Sequence, residues 1–202
     1  PERMIANEMR RDSNNIRQGD CVGFSFDTFF DHRNALQFEV SPLGARTDGQ
    51  STNERQYSGD WNPVWDLADG KFEGGWTVEA AIPFRSIRYA AGTAQTWGFQ
   101  ARRNNKWKNE ISYLTTVPPA FGIGRGSFSA SLFAVLTGLE VPGRSLNLEV
   151  KPYLVGNMTT DKTVVPTVLN HPDGDLGADA KYVVTQGLTA DLTYNTDFAQ
   201  VE

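Results

Sequence analysis

The sequence predicts an all-β chain that begins as an antiparallel β-sandwich. Several segments alternate apolar and polar residues with the period of a strand, and turns that contain glycine or proline separate them. No apolar run reaches the length of a transmembrane helix. From about residue 138 the alternation becomes longer and stricter, which predicts a second sheet of a different kind.

The segment 74–89 (GGWTVEAAIPFRSIRY) predicts the central strand of the sandwich. Thr77 is expected to be more exposed than the alternating apolar residues around it. Pro83 cannot donate to a strand ladder, so the strand should end there. One helical turn after it would fold Phe84 and Ile87 onto the sheet. The residues expected to lie buried between two sheets are Trp76, Val78, Ala80 and Ile82.

Other strands of the sandwich are predicted over 21–27, 36–40, 96–102 and 111–117. Within the third of these, Gln100 and Arg102 are expected to point outward. The polar stretch 45–60 is interpreted as a surface loop, and the dipeptide Asp69-Gly70 as a turn.

The later strands are predicted in 145–156, 178–184 and 188–195, with a three-residue hairpin loop at 185–187. In each segment the charged residues share one face, and most of the apolar residues lie on the opposite face. The charged residues are Glu149, Lys151, Asp179, Lys181 and Asp191. This pattern fits an outer-membrane barrel and a soluble sheet with one wet face equally well.

Composition excludes some classes of function. The formal net charge of −5 gives no electrostatic support for nucleic-acid binding. Cys21 is the single cysteine, so neither an internal disulfide framework nor a multi-cysteine zinc site is available. The two histidines, His32 and His171, lie far apart and form no metal-binding pair.

A series of motifs along the chain resembles a known family. The segments are 10–12 (RRD), 20–22 (DCV), 26–31 (FDTFFD), 38–44 (FEVSPLG), 61–65 (WNPVW), 76–89, 97–99 (WGF), 109–110 (NE), 179–183 (DAKYV) and 195–202 (NTDFAQVE). Their order resembles a carbohydrate-binding module family 9-like (DOMON-like, jelly-roll) domain at the front of a Gram-negative outer-membrane β-barrel family. Asn62, Tyr113 and Thr196 stand where that family usually has Asp, Trp and Pro.

The resemblance implies a sandwich over 1–137, whose first strands and signal peptide lie upstream, and the first strands of a barrel over 138–202. It also implies a place at the cell outer membrane, with the sandwich periplasmic or surface-associated. A barrel closes with at least about eight strands, so this chain would hold only the first few. Their apolar face is then expected to be exposed, the strands to pair antiparallel with one another, and contacts with the sandwich to be few.

An oligosaccharide or polysaccharide partner matches the aromatic and planar polar side chains of the chain. Sugar rings stack on indoles, while their hydroxyls bond guanidinium, amide and carboxylate groups. Trp107 lies in the polar stretch 102–110, which has this composition. The candidate sugar-binding residues are Trp107, Arg102, Asn109, Glu110, Trp61 and Trp65.

Three further hypotheses concern calcium, catalysis and a structural role. Asp27 and Asp31 are expected in one loop, close enough to share a backbone turn or a structural calcium ion. Glu79 and Glu110 are the acid and base of an alternative hydrolase that acts on O-glycosyl bonds, although Glu79 is better explained by pairing with Arg102. In the third hypothesis the sandwich only plugs or caps the barrel.

Overall fold

The computed structural model describes residues 3–142, 148–185 and 188–195. The chain divides into two compact units, 1–143 and 144–202. The prediction of an all-β, antiparallel chain is confirmed. In the described ranges, helical structure is limited to five 3₁₀ turns of three residues: Ile16–Gln18, Phe84–Ser86, Pro119–Phe121, Arg125–Ser127 and Ala130–Leu132. No helix among these residues is long and apolar enough to cross a membrane.

Unit 1 is built on a seven-stranded antiparallel sheet. Its strands are β1 (Cys21–Asp27), β2 (Ala35–Val40), β3 (Arg46–Thr52), β4 (Gln56–Ser58), β7 (Ala94–Asn105), β8 (Glu110–Tyr113) and β9 (Ala134–Glu140). They lie in the order β4-β3-β2-β1-β7-β8, and β9 also pairs with β7. Because β9 belongs to this sheet, unit 1 extends to residue 143, beyond the boundary at 137 that the sequence suggested.

A two-stranded sheet of β5 (Asp66–Phe72) and β6 (Gly75–Ala81) completes the sandwich. The buried core comprises Phe38, Val40, Trp65, Ile87, Trp97 and Val141. Leu67 of β5 and Val78 of β6 pack against it. The ring of Phe38 makes edge contacts with Phe26, Trp61 and Trp65 at centroid distances of 6.2, 5.6 and 5.2 Å.

Segment 74–89 forms a strand, but a less buried one than predicted. Trp76 and Val78 are half-buried and Thr77 is exposed, as the alternation requires, whereas Ala80 is exposed rather than buried. Ile82 is half-buried and packs against the core. The strand ends before Pro83, and the 3₁₀ turn Phe84–Ser86 follows, which leaves Ile87 buried in the core.

Two loop interpretations are wrong. Stretch 45–60, read as a surface loop, contains β3 and β4, and Asp69-Gly70 lies within β5 rather than in a turn. In β3, Thr47, Asp48 and Ser51 are buried although they are polar. The strand therefore lacks the apolar alternation by which a sequence reveals a strand.

Unit 2 contains three antiparallel strands, β10 (Leu148–Asp161), β11 (Val168–Thr185) and β12 (Leu188–Tyr194). The predicted antiparallel pairing is confirmed, and β10 and β11 run well beyond the predicted segments. Most of the predicted hairpin loop, Gln186 and Gly187, lies outside the described residues.

The two faces of this sheet differ as predicted. Register places Val150, Ala180 and Leu192 side by side on one face, and Leu154 opposite Leu176 on the same face. Leu154 is 81% exposed and Leu192 70%. On the other face, the register sets Lys151 opposite Asp179 and Lys181 opposite Asp191, which are favourable cross-strand pairs.

We expect Phe38→Ala to lower the free energy of unfolding of unit 1 by about 3–5 kcal/mol, because it leaves a cavity among three aromatic rings. Phe72→Ala is the matched control, since Phe72 is exposed on β5 and its loss should cost less than about 0.5 kcal/mol. Urea denaturation measures both. Equal effects would contradict the assigned core.

Candidate functional site

The second face of the seven-stranded sheet carries a buried polar layer. Cys21, Ser25 and Asp27 of β1 lie on it, together with Gln100 and Arg102 of β7. The prediction that Gln100 and Arg102 point outward is therefore wrong. Segments before β1 and after β8 cover this face: Cys21 packs with Ile16, and Ala35 of β2 packs with Ala130 and Phe133.

A buried carboxylate links three parts of this layer. Glu39 of β2 is bound by the Nε of Arg17 at 2.7 Å through one oxygen, and by Nη2 of Arg102 at 2.9 Å through the other. The side chains of Glu39 and Arg102 are only 4% and 3% exposed. Burial would lower the pKa of Arg17, but the Glu39 carboxylate outweighs that effect and raises it.

Gly23 makes this ion pair possible. In the register of β1 it lies between Glu39 and Arg102, on strands that are about 10 Å apart. A Cβ atom at Gly23 would meet Cγ of Glu39 at 3.3 Å. Because glycine has no side chain, the two ionised groups meet across β1.

Amide side chains hold the surroundings in place. Nδ2 of Asn104 donates to the carbonyl oxygens of Arg17 and Gly19, both at 2.9 Å, and so ties the segment that carries Arg17 to β7. Gln100 donates to Oγ1 of Thr115 and accepts from the backbone N–H of Leu114 and Thr115.

A cavity of about 910 Å³ opens on this polar face. It is bounded by β7 and β8 on one side and by the stretch 115–128 on the other. Four basic side chains line it: Arg17, Arg102, Lys106 and Arg125. Asn104, Asn109, Tyr113 and Thr115 add polar groups, and Ile111 and Phe128 add apolar surface.

Two buried polar groups on the cavity wall lack full hydrogen bonding. Within the described chain, Nε of Arg102 and the hydroxyl of Tyr113 have no well-formed hydrogen-bond partner. Burial raises the pKa of Tyr113, and Arg102 and the backbone N–H of Gly126 oppose the rise. Tyr113 is thus a neutral phenol that lines the cavity. Burial likewise raises the pKa of the Cys21 thiol, despite the opposing effect of Arg102.

The stretch 102–110 contains the predicted sugar-binding residues that the structure brings together. Arg102 and Asn109 line the cavity, and Trp107 lies between them in the turn that joins β7 to β8. Trp107 is 57% exposed, with the guanidinium carbon of Arg3 5.5 Å from its ring centroid. Glu110 pairs with Asn105, so alternation places it on the opposite face from Arg102.

The other two tryptophan candidates lie in the core. Trp65 is 1% exposed, donates through Nε1 to Asp48 at 2.8 Å, and contacts the ring of Phe38. Its assignment as a sugar platform is wrong because no ligand can reach the ring. Trp61 is half-buried against Phe38, on the face of the sheet away from the cavity.

The two acidic candidates for hydrolysis are not brought to one place. Glu79 is exposed on β6 of the two-stranded sheet, and Glu110 is exposed on β8 of the seven-stranded sheet. Neither lines the cavity. The predicted pairing of Glu79 with Arg102 is wrong, since Arg102 is bound by Glu39.

Asp27 and Asp31 share a backbone turn, as expected. The two oxygens of Asp27 accept from the N–H groups of Asp31 and His32, at 3.1 and 2.8 Å. Asp31 in turn accepts from the N–H groups of Arg33 and Asn34. In the described ranges, no three His, Cys, Asp or Glu side chains cluster closely enough to hold a metal ion.

Sequence reasoning missed Arg17, Asn104, Lys106, Tyr113 and Arg125. Asn104 and Lys106 carry a usable signal, since both lie within the polar stretch 102–110 around Trp107. Arg17 and Arg125 are more than a hundred residues apart in the chain, and no spacing rule joins them.

Comparisons with known proteins give limited similarity. No protein-family model matches the sequence, and no curated protein matches it. The chain is similar to two structures of a carbohydrate binding module family 9 from Caldicellulosiruptor kristjanssonii. The complex with cellotriose has 16% identity and a TM-score of 0.45, over 66% of this chain and 63% of that one. The complex with glucose has 17% identity and a TM-score of 0.44, over 70% of this chain and 66% of that one.

The match spans less than two thirds of the length of either module.

We expect Glu39→Gln to lower the free energy of unfolding by about 3–5 kcal/mol, because it leaves the buried guanidinium of Arg102 without a counter-charge. Glu79→Gln makes the same chemical change at an exposed position and should cost less than about 0.5 kcal/mol. Urea denaturation of both variants provides the comparison. If Glu39→Gln were as mild as its control, the carboxylate would not hold this layer together.

Proposed function

We propose that unit 1 binds carbohydrate non-covalently in the cavity on its polar face. One observation carries the proposal. Guanidinium and amide groups of Arg102, Asn104 and Asn109 line the cavity, and the exposed indole of Trp107 lies in the adjoining turn. Planar hydrogen-bonding groups suit vicinal hydroxyls, and an exposed indole suits the C–H face of a sugar ring. A cavity of about 910 Å³ is within the size range of ligand pockets.

The burial of the other candidates restricts where a sugar would bind. Trp61 and Trp65 contribute to the core, and Glu110 is on the opposite face. The ligand would therefore contact Trp107, Asn109 and Arg102 along the β7–β8 hairpin. The Arg17–Glu39–Arg102 ion cluster keeps Arg102 fixed before any ligand arrives, which reduces the ordering cost of binding.

We also propose that unit 2 supplies strands of an outer-membrane barrel, so that unit 1 captures glycan for uptake or display at the cell outer membrane. The support is the uninterrupted apolar face, on which Val150, Leu154, Leu176 and Leu192 are all exposed. Exposed apolar area of this extent marks a surface that meets something other than water. In a barrel that face meets lipid, and the face with Lys151 and Asp179 lines a wet interior.

We expect Trp107→Ala to weaken the binding of glycan by unit 1 by roughly tenfold or more, because aromatic residues at the centre of a contact carry much of the binding energy. Trp107→Phe should keep much of the affinity, because the stacking surface remains. A glycan array that includes glucose and cellotriose identifies the ligand. Calorimetry then measures the affinity of each variant for it.

Stability should hardly change in Trp107→Ala, since the side chain is largely exposed. Undiminished binding by Trp107→Ala would remove Trp107 from the site. A parent protein that retains no glycan would favour the structural-cap hypothesis. Turnover of a chromogenic glycoside that Glu79→Gln abolishes would favour the hydrolase.

For unit 2, we expect Leu154→Arg to reduce the amount of protein assembled in the outer membrane of a Gram-negative host. A charge on the lipid face costs about 2–4 kcal/mol at mid-membrane. Val155→Arg is the matched control, because Val155 lies on the other face, opposite Asp175. The experiment uses the longer protein that a closed barrel requires. Equal yields for the two variants would contradict the assignment of the lipid face.

A further inference from the structure

The lining of the cavity is strongly biased in charge, and the bias narrows the class of ligand. Four of its side chains are cationic, and none of the described residues that line it is acidic. The chain as a whole has a net charge of −5, so the positive charge of the cavity is opposite in sign to that of the protein.

Nearby carboxylates do not cancel this charge. Glu39 neutralises only one of the two guanidinium groups that it binds, those of Arg17 and Arg102. Asp20 lies close to Lys106, but its two oxygens accept the backbone N–H groups of Lys106 and Ile5. With both acids counted, the four cations leave an excess of two positive charges.

Two of the cations are available to a ligand. Lys106 and Arg125 are exposed, and no carboxylate within the described chain lies in ion-pair distance of either. They belong to different segments, Lys106 to the β7–β8 turn and Arg125 to the 3₁₀ turn Arg125–Ser127. Deeper in the wall, the buried Arg102 has an Nε hydrogen without an acceptor.

We infer that the saccharide bound in this cavity is anionic and carries uronate carboxylates or sulfate groups that Lys106 and Arg125 bind. This inference rests on the proposed carbohydrate binding and specifies its ligand. Charge-assisted hydrogen bonds to such groups are about twice as strong as neutral ones. Asn104, Asn109 and Tyr113 would bind the hydroxyls of the same ligand, and Ile111 and Phe128 its less polar edges.

The test compares sugars that differ in charge but not in backbone. The whole chain is kept in a polyoxyethylene ether detergent, whose headgroup carries no sugar. It is screened against neutral, uronate-bearing and sulfated oligosaccharides. Oligogalacturonate with free carboxylates is then titrated beside its neutral methyl ester, and the best sulfated oligosaccharide beside its desulfated form.

We expect the charged member of at least one pair to bind at least about tenfold more tightly, the effect of one charge-assisted contact. The difference should shrink as ionic strength rises, because exposed charges are screened over about 10 Å at 0.1 M salt. Preference for the carboxylate pair identifies a uronate as the ligand, and preference for the sulfated pair identifies a sulfate ester.

The variants Lys106→Gln and Arg125→Gln should each remove much of the preference for the charged sugar over its neutral partner. Lys71→Gln and Arg85→Gln are the matched controls, since both residues are exposed and neither lines the cavity. All four replacements are at exposed positions, and thermal melting verifies that each variant is folded.

The outcomes separate this inference from the proposed function. Equal or tighter binding of neutral sugars overturns the anionic ligand and leaves carbohydrate binding standing. A charge preference that the control variants abolish as strongly as Lys106→Gln and Arg125→Gln also overturns the inference, because the cavity would not be its source. Failure to retain any glycan overturns both proposals.

Discussion

The carboxylate of Glu39, held between Arg17 and Arg102, is the interaction on which the polar face of unit 1 depends. Ionised groups this deeply buried are stable only when each is paired, because a lone charge in the interior costs several kcal/mol. Through its two oxygens, Glu39 joins β2 to β7 and to the segment before β1. Gly23 gives it the space to do so. The amide of Asn104 then fixes the backbone around Arg17, so that the cover over this face is held by polar bonds as well as by apolar packing.

This arrangement divides the basic residues of the cavity into two groups. Arg17 and Arg102 are committed to the fold through Glu39, and their replacement would disturb the whole layer. Lys106 and Arg125 lie at exposed turns, where their charges cost little to keep and remain open to a ligand. In the proposed site, the paired residues are held in place before a ligand arrives, which would lower the ordering cost of binding. Tyr113 belongs to the wall of the cavity, and the exposed indole of Trp107 lies in the adjoining turn.

Units 1 and 2 use the same strand alternation with opposite results. In unit 1 both faces of the large sheet are covered, one by aromatic rings and one by bonded polar groups. In unit 2 the apolar face exposes Leu148, Val150, Leu154 and Leu176 of β10 and β11, while the other face carries cross-strand pairs of opposite charge. A sheet with this division is matched to two different surroundings, and the proposed barrel supplies both.

The sequence by itself determined the all-β class, the strand that ends before Pro83, the turn of Asp27 and Asp31, and the two faces of unit 2. Each of these follows from local alternation or from the chemistry of one side chain. It failed for β3, and it assigned Arg102 to the outside, because a strand that buries polar residues shows no apolar period. It also missed β4 and β5, which are mostly exposed and bury no residue. Trp107 and Asn109 could be named as candidate site residues from the polar stretch around them, whereas Trp65 could not be recognised as core. The cavity itself was decided only by the tertiary structure. Arg17, Arg102 and Arg125 meet there because strand order and a buried ion pair bring together segments that no sequence spacing relates.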